Sequence, residues 1–132
     1  MSGYKVLFIF IALLQWARLG VIVNKMTVYR IPLGNSKSGD LEGAKTLFEN
    51  NEKMFENTLL SKYAEDYRYF MLHETFTVLS VTHDMIEYTC KLNFYAGCTD
   101  QNETFDEHAS VRYRIEDDHI VFELDETVWY PQ

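Results

Sequence analysis

Basic residues are scarce in this sequence: 12 Lys and Arg stand against 20 Asp and Glu in 132 residues, a formal net charge of −8. Setting aside residues 1–20, which carry Lys5 and Arg18 but no acid, leaves 10 against 20, a net of −10. Such a surface repels nucleic acid and anionic membranes and draws cations and basic partners, so nucleic-acid binding is excluded. Cysteine is sparse too. Cys90 and Cys98 make no disulfide-rich scaffold, and neither belongs to a CxxC pair. His73, His83, His108 and His119 lack the HxxxH or HxH spacing of metal ligands, so no metal or cofactor is expected. Phosphate-binding glycine loops and a GxSxG elbow are missing as well. His83-Asp84 reads as a solvated turn, and so does Glu116-Asp117-Asp118, which lacks the glycine and spacing of a calcium loop. With no catalytic constellation, the expectation is a non-enzymatic protein.

What is present suffices for one folded domain, with 47% hydrophobic and 15% aromatic residues and no repeat or low-complexity tract. The apolar run Val6 to Leu14 is cut by Gln15 and Arg18 before it reaches the roughly 20 residues of a membrane span. Behind Lys5 it reads as the core of a signal peptide over residues 1–20, with an uncleaved anchor or a buried helix as the alternative. The protein is therefore expected to be secreted, with no membrane contact after processing. Export would make Asn102-Glu103-Thr104, in a polar loop, an N-glycosylation site at Asn102.

Residues 21–39 read as an extended, flexible lead-in, with Pro32, Gly34, Asn35, Ser36, Ser38 and Gly39 forming a connector. Asp40 is an N-cap residue type. Leu41, Ala44, Leu47, Phe48, Met54 and Phe55 follow at nearly helical spacing, predicting a helix over about 40–58, with Lys62 to Arg68 either extending it or forming a loop before the first strand. Four strands follow: Tyr69 to Leu79, Glu87 to Tyr95, Ala109 to Glu116 and His119 to Val128, the last two joined at Asp117-Asp118. A loop is expected from Ala96 to Glu107. Cys90 then lies mid-strand and Cys98 beyond its end. Five strand steps of about 3.4 Å already separate Cys90 from Tyr95, against a bridging limit of about 7 Å, so the two are not expected to bond.

One residue breaks the alternation. On the first strand Phe70, Leu72, Glu74, Phe76 and Val78 share a face, which aims a carboxylate into an apolar interior. Tyr88, Tyr113 and Phe122 are expected on the same side of the sheet. An acid among rings suits an amine cation, with a charge-assisted hydrogen bond and ring faces around the head group. Glu74, Phe76, Tyr88, Tyr113 and Phe122 are thus the candidate ligand-binding residues. The bland alternative places Glu74 near a strand end, or on Arg112, Arg114 or a tyrosine hydroxyl.

Three segments carry a resemblance. Gly43-Ala44-Lys45-Thr46-Leu47 resembles the A-W-K-x-L pattern of the salivary lipocalins of ticks, the histamine-binding family. Tyr69 to Phe76 is similar to their Y-Y-x-[LV]-x-x-T-Y strand, and Tyr88-Thr89-Cys90 to the [FY]-x-C that opens their second strand. The chain departs from the pattern with Ala44 for the helix tryptophan and Leu79 where amine binders carry an acid. The resemblance implies a mainly β fold of α+β content, an N-terminal helix followed by an antiparallel meander in a lipocalin-like, partial β-barrel over residues 40–132. It implies a small-molecule partner, a biogenic amine such as histamine or serotonin or a lipid mediator, sequestered from the host. Such barrels close with about eight strands, so four are expected to leave an edge open to self-association, as in a truncated or divergent relative. Two other classes fit the outline, a cystatin-like inhibitor of cysteine proteases without its Q-x-V-x-G segment, and a secreted protein-interaction module.

Overall fold

The computed structural model describes residues 21–130, and the expected signal peptide lies outside them. The chain enters through β1 (Val21–Val23) and β2 (Met26–Pro32) and then forms α1 (Leu41–Asn50). A 3-10 turn (Glu52–Phe55) leads into α2 (Glu56–Leu60), and a second 3-10 turn (Ser61–Tyr63) ends the helical segment. The strands β3 (Tyr69–Met71), β4 (Thr77–Val81), β5 (Met85–Ala96), β6 (Gln101–Glu116), β7 (His119–Asp125) and β8 (Val128–Tyr130) complete it. The fold is mainly β, of α+β type, with two helices and an antiparallel sheet curled into a half-barrel. No helix among the described residues is long and apolar enough to cross a membrane.

Asp40 caps α1 as its residue type predicts, its Oδ1 accepting the Gly43 N–H at 3.0 Å. Asn51 ends the helix by donating its amide side chain to the Leu47 carbonyl at 2.8 Å. The helical path nonetheless continues past 58 to Tyr63, and residues 64–68 form the link to β3. Ala44, Phe48, Phe55 and Leu59 face inward. Phe48 and Phe55, fully buried, enter the hollow of the half-barrel and pack on the sheet. Phe48 lies 5.3 Å from Phe122 and 5.4 Å from Tyr113, and Phe55 4.5 Å from Phe76 and 4.9 Å from Tyr88, ring centre to ring centre. These four rings of the expected binding face therefore belong to the core.

The strands depart from expectation in three places. Tyr69 to Leu79 is not one strand, because Met71 stands opposite Leu92 and Thr77 opposite Thr89, six residues along one side against three along β5. The surplus forms a turn in which Glu74 has φ 63°. The Glu52 carboxylate holds the Glu74 N–H at 3.0 Å, and the Thr75 hydroxyl donates to the Leu72 carbonyl at 2.7 Å. The turn resets the alternation, so Met71 faces inward and Phe70 is 42% exposed. Second, the polar stretch from Gln101 is strand rather than loop, paired with β5 from Ala96–Gln101 to Met85–Arg112. Asn102 and Thr104 lie on it, and Asn93 joins them by hydrogen bonds at 3.0 and 2.8 Å. Third, part of the lead-in is structural. β2 pairs along its whole length with β7 and buries Ile31.

The sheet order is β2-β7-β6-β5-β3, with β4 also on β5. β7 stays with β6 only from Glu116–His119 to Tyr113–Phe122, while its pairing with β2 continues to Asp125. The helical segment spans the place where they part. Thr58 donates to the Asp125 carbonyl at 2.6 Å, and Lys62 and Tyr63 donate to Glu107 at 2.8 and 2.7 Å.

Candidate functional site

Past Asp125 the β2–β7 pair bends and continues as the separate ribbon β1–β8. The corner is fixed by its own backbone. Glu126 N–H donates to the Lys25 carbonyl at 2.8 Å, Lys25 N–H to the Thr127 hydroxyl at 3.2 Å, and Thr127 N–H to Asp125 Oδ1 at 2.9 Å. This turns the Glu126 side chain inward, where the residue is 2% exposed. Thr27 donates to its Oε1 at 2.8 Å, the Tyr29 hydroxyl donates to Oε2, and the Lys25 ammonium stands 3.7 Å away. Burial, and then the Glu126 carboxylate, push the Tyr29 pKa up to about 12.

Glu126 forms the floor of a cleft of about 750 Å³ between the ribbon, the end of the helical segment and β3. Leu60, Tyr69, Phe70, Val128 and Tyr130 supply its apolar walls. Tyr69 is held in place by stacking on Tyr63 at 4.0 Å and by Phe94 at 4.8 Å. Glu65 and Asp66 also line it, so three acids face one base, Lys25. Asp66 is fixed by Arg68 at 2.7 Å, whose hydrogen bonds hold its carboxyl below the ordinary range. Burial and the bond to Glu65 raise the Tyr130 hydroxyl.

Comparison with known proteins found no matching family model, curated protein or solved structure. The cleft is therefore read on its own chemistry. Among the described residues no three His, Cys, Asp or Glu side chains gather as a metal site would require.

The structure keeps Phe76, Tyr88, Tyr113 and Phe122 together but fills the space before them with Phe48 and Phe55. Glu74 does not join them. It is exposed, because the positive-φ turn swings it off the inner face. Arg112 and Arg114 have other partners, Asp84 at 3.5 Å and Glu116 at 2.8 Å. Asn102 is exposed at the start of β6. Both cysteines are free, Cys90 buried and Cys98 exposed. Sequence reasoning missed Glu126, although the signal was there: Ile120, Phe122 and Leu124 alternate inward, and Glu126 is the next residue in that series.

Proposed function

We propose that this chain is a secreted, lipocalin-like binding protein that sequesters a small amine, such as histamine or serotonin, in the Glu126 cleft. The observation that carries the reading is the buried carboxylate at the floor of an aromatic-walled cleft, within the size range of small-molecule sites. Lys25 already brings an ammonium to 3.7 Å from that carboxylate, and as a 60% exposed side chain it is free to swing away. A ligand amine takes its place, and the faces of Tyr69, Phe70 and Tyr130 surround the organic body.

Calorimetry with histamine and serotonin tests this. Glu126→Gln is expected to weaken binding by about 1.5–3 kcal/mol, as for a hydrogen bond to a charged group. Lys25→Met removes the internal competitor and is expected to tighten it, while Glu74→Gln leaves it unchanged. Binding that ignores both Glu126 and Lys25 would remove the cleft from consideration, and no heat with either amine turns the reading towards an apolar mediator. The second reading, a protein-interaction module, draws on Val23 and Trp129, 46% and 44% exposed on the ribbon.

A further inference from the structure

Asn102-Glu103-Thr104 falls in a strand and not in a loop, and its neighbours there are specific. Tyr95 stands opposite Asn102, and Asn93 opposite Thr104. The Tyr95 N–H turns to the other edge of β5, to the Arg68 carbonyl at 2.9 Å. Tyr95 and Asn102 are therefore a non-hydrogen-bonded pair, the kind in which facing side chains come closest. Facing and next-but-one residues share a side of the sheet, so Asn93, Tyr95, Asn102 and Thr104 lie on one surface. Buried Asn93 ties that surface together: its Nδ2 donates to Asn102 Oδ1 at 3.0 Å, and its Oδ1 accepts the Thr104 hydroxyl at 2.8 Å. The side-chain carbonyl of Asn102 is thereby held to the sheet, while its Nδ2 has no hydrogen bond among the described residues. Tyr95 is 56% exposed, and its hydroxyl lies over Gly97, 3.0 Å from where a Cβ would stand. An aromatic ring thus lies open to water beside an amide nitrogen that the fold leaves free.

We propose that Asn102 carries an N-linked glycan whose first sugar packs on the Tyr95 ring. The modification requires export, as the reading above does, but neither the cleft nor its ligand. The sugar donor is a lipid-linked oligosaccharyl pyrophosphate. A bond forms between Asn102 Nδ2 and C1 of the first N-acetylglucosamine as the C1–O bond to pyrophosphate breaks. The pyrophosphate leaves with the electron pair, and the amide gives up one proton. Transfer precedes the pairing of β6 with β5, because in the folded protein the Thr104 hydroxyl is given to Asn93. Folding then accepts the product: the linked nitrogen keeps one hydrogen, the carbonyl still takes the Asn93 bond, and the sugar stands over exposed surface. A pyranose presents a face of C–H groups, whose slight positive charge suits the negative face of an aromatic ring. Facing residues hold their Cβ atoms about 4.5–5.5 Å apart, which sets the first sugar, and not a later one, against Tyr95.

Secretion from eukaryotic cells tests this, with residues 21–132 behind a foreign signal peptide so that the outcome does not depend on residues 1–20. The wild-type protein is expected to carry one glycan, and Asn102→Gln none, by mass spectrometry. The wild type trimmed to its first sugar is then compared with the same chain made without sugar in bacteria. The sugar is expected to raise the melting midpoint by roughly 2–4 °C. In Tyr95→Ala the two forms are expected to melt together, with circular dichroism as the check on folding. The ring should also move the C–H proton resonances of the first sugar upfield, a reading that needs no variant. No measurement here reads amine binding, so this proposal and the cleft reading fail separately. A secreted chain without a glycan at Asn102 overturns the proposal. So does a wild type that the sugar does not stabilise, a stabilisation that survives Tyr95→Ala, or sugar protons unshifted by the ring.

Discussion

Tyr88 lies between Phe55 and Phe76, 3% exposed, and burial pushes its hydroxyl pKa up to about 12. In the unfolded chain it ionises near pH 10, about its ordinary value. Between those two values the folded state keeps a proton that the unfolded state has lost. Its contribution to stability is therefore complete below about pH 10 and falls as pH rises towards 12. The decline is about 1.4 kcal/mol per pH unit for this one buried group. Tyr29, raised to a similar value by burial and by Glu126, adds to the loss in the same window. Denaturant titrations across that range are expected to show falling stability, with a shallower fall in Tyr88→Phe. At this scale burial of apolar residues was legible and placement of single acids was not. The rule that sent Glu74 inward assumed an unbroken strand, and Glu52, 22 residues earlier, holds the break open. Applied to β7, the same rule finds Glu126.

Among the elements, α1 rests on a cap that leaves no space for a side chain at Gly43. A Cβ there would lie 2.5 Å from Asp40 Oδ2 and 2.9 Å from Ser36 Oγ. Replacing a helix-interior glycine by alanine ordinarily gains roughly 0.5–1 kcal/mol. Here the methyl group must displace the capping carboxylate, a loss of about 1 kcal/mol. Gly43→Ala is thus expected to be no more stable than wild type in urea unfolding, and a gain of the full ordinary size would show that the cap can reseat. The helix was readable because its cap and apolar stripe are local. The first half of β6 was not: Gln101 to His108 has little apolar alternation, and only its backbone pairing with β5 makes it a strand. β2 escaped notice because its partner lies at the far end of the sequence.

For the molecule as a whole, the expected hollow is taken by the protein's own helix, and a cleft opens instead at the corner where the ribbon leaves the sheet. The antiparallel meander and its helix were legible in outline; the split between β6 and β7 depends on the curl of the whole sheet and has no local signature. The closing pair has a consequence in time. Thr27 and Glu126, bonded across it, are 99 residues apart. During synthesis β2 emerges early and must wait for β7, with Ile31 and Leu33 uncovered meanwhile. Joining ends so distant costs more chain entropy than closing the β5–β6 and β6–β7 hairpins, so the hairpins are expected to lead. Pulsed hydrogen exchange during refolding should protect β5 and β6 amides before those of β2, and simultaneous protection would contradict that order. Because Lys25 and Glu126 meet only when this last pair closes, a chain in which the hairpins alone have formed has no cleft.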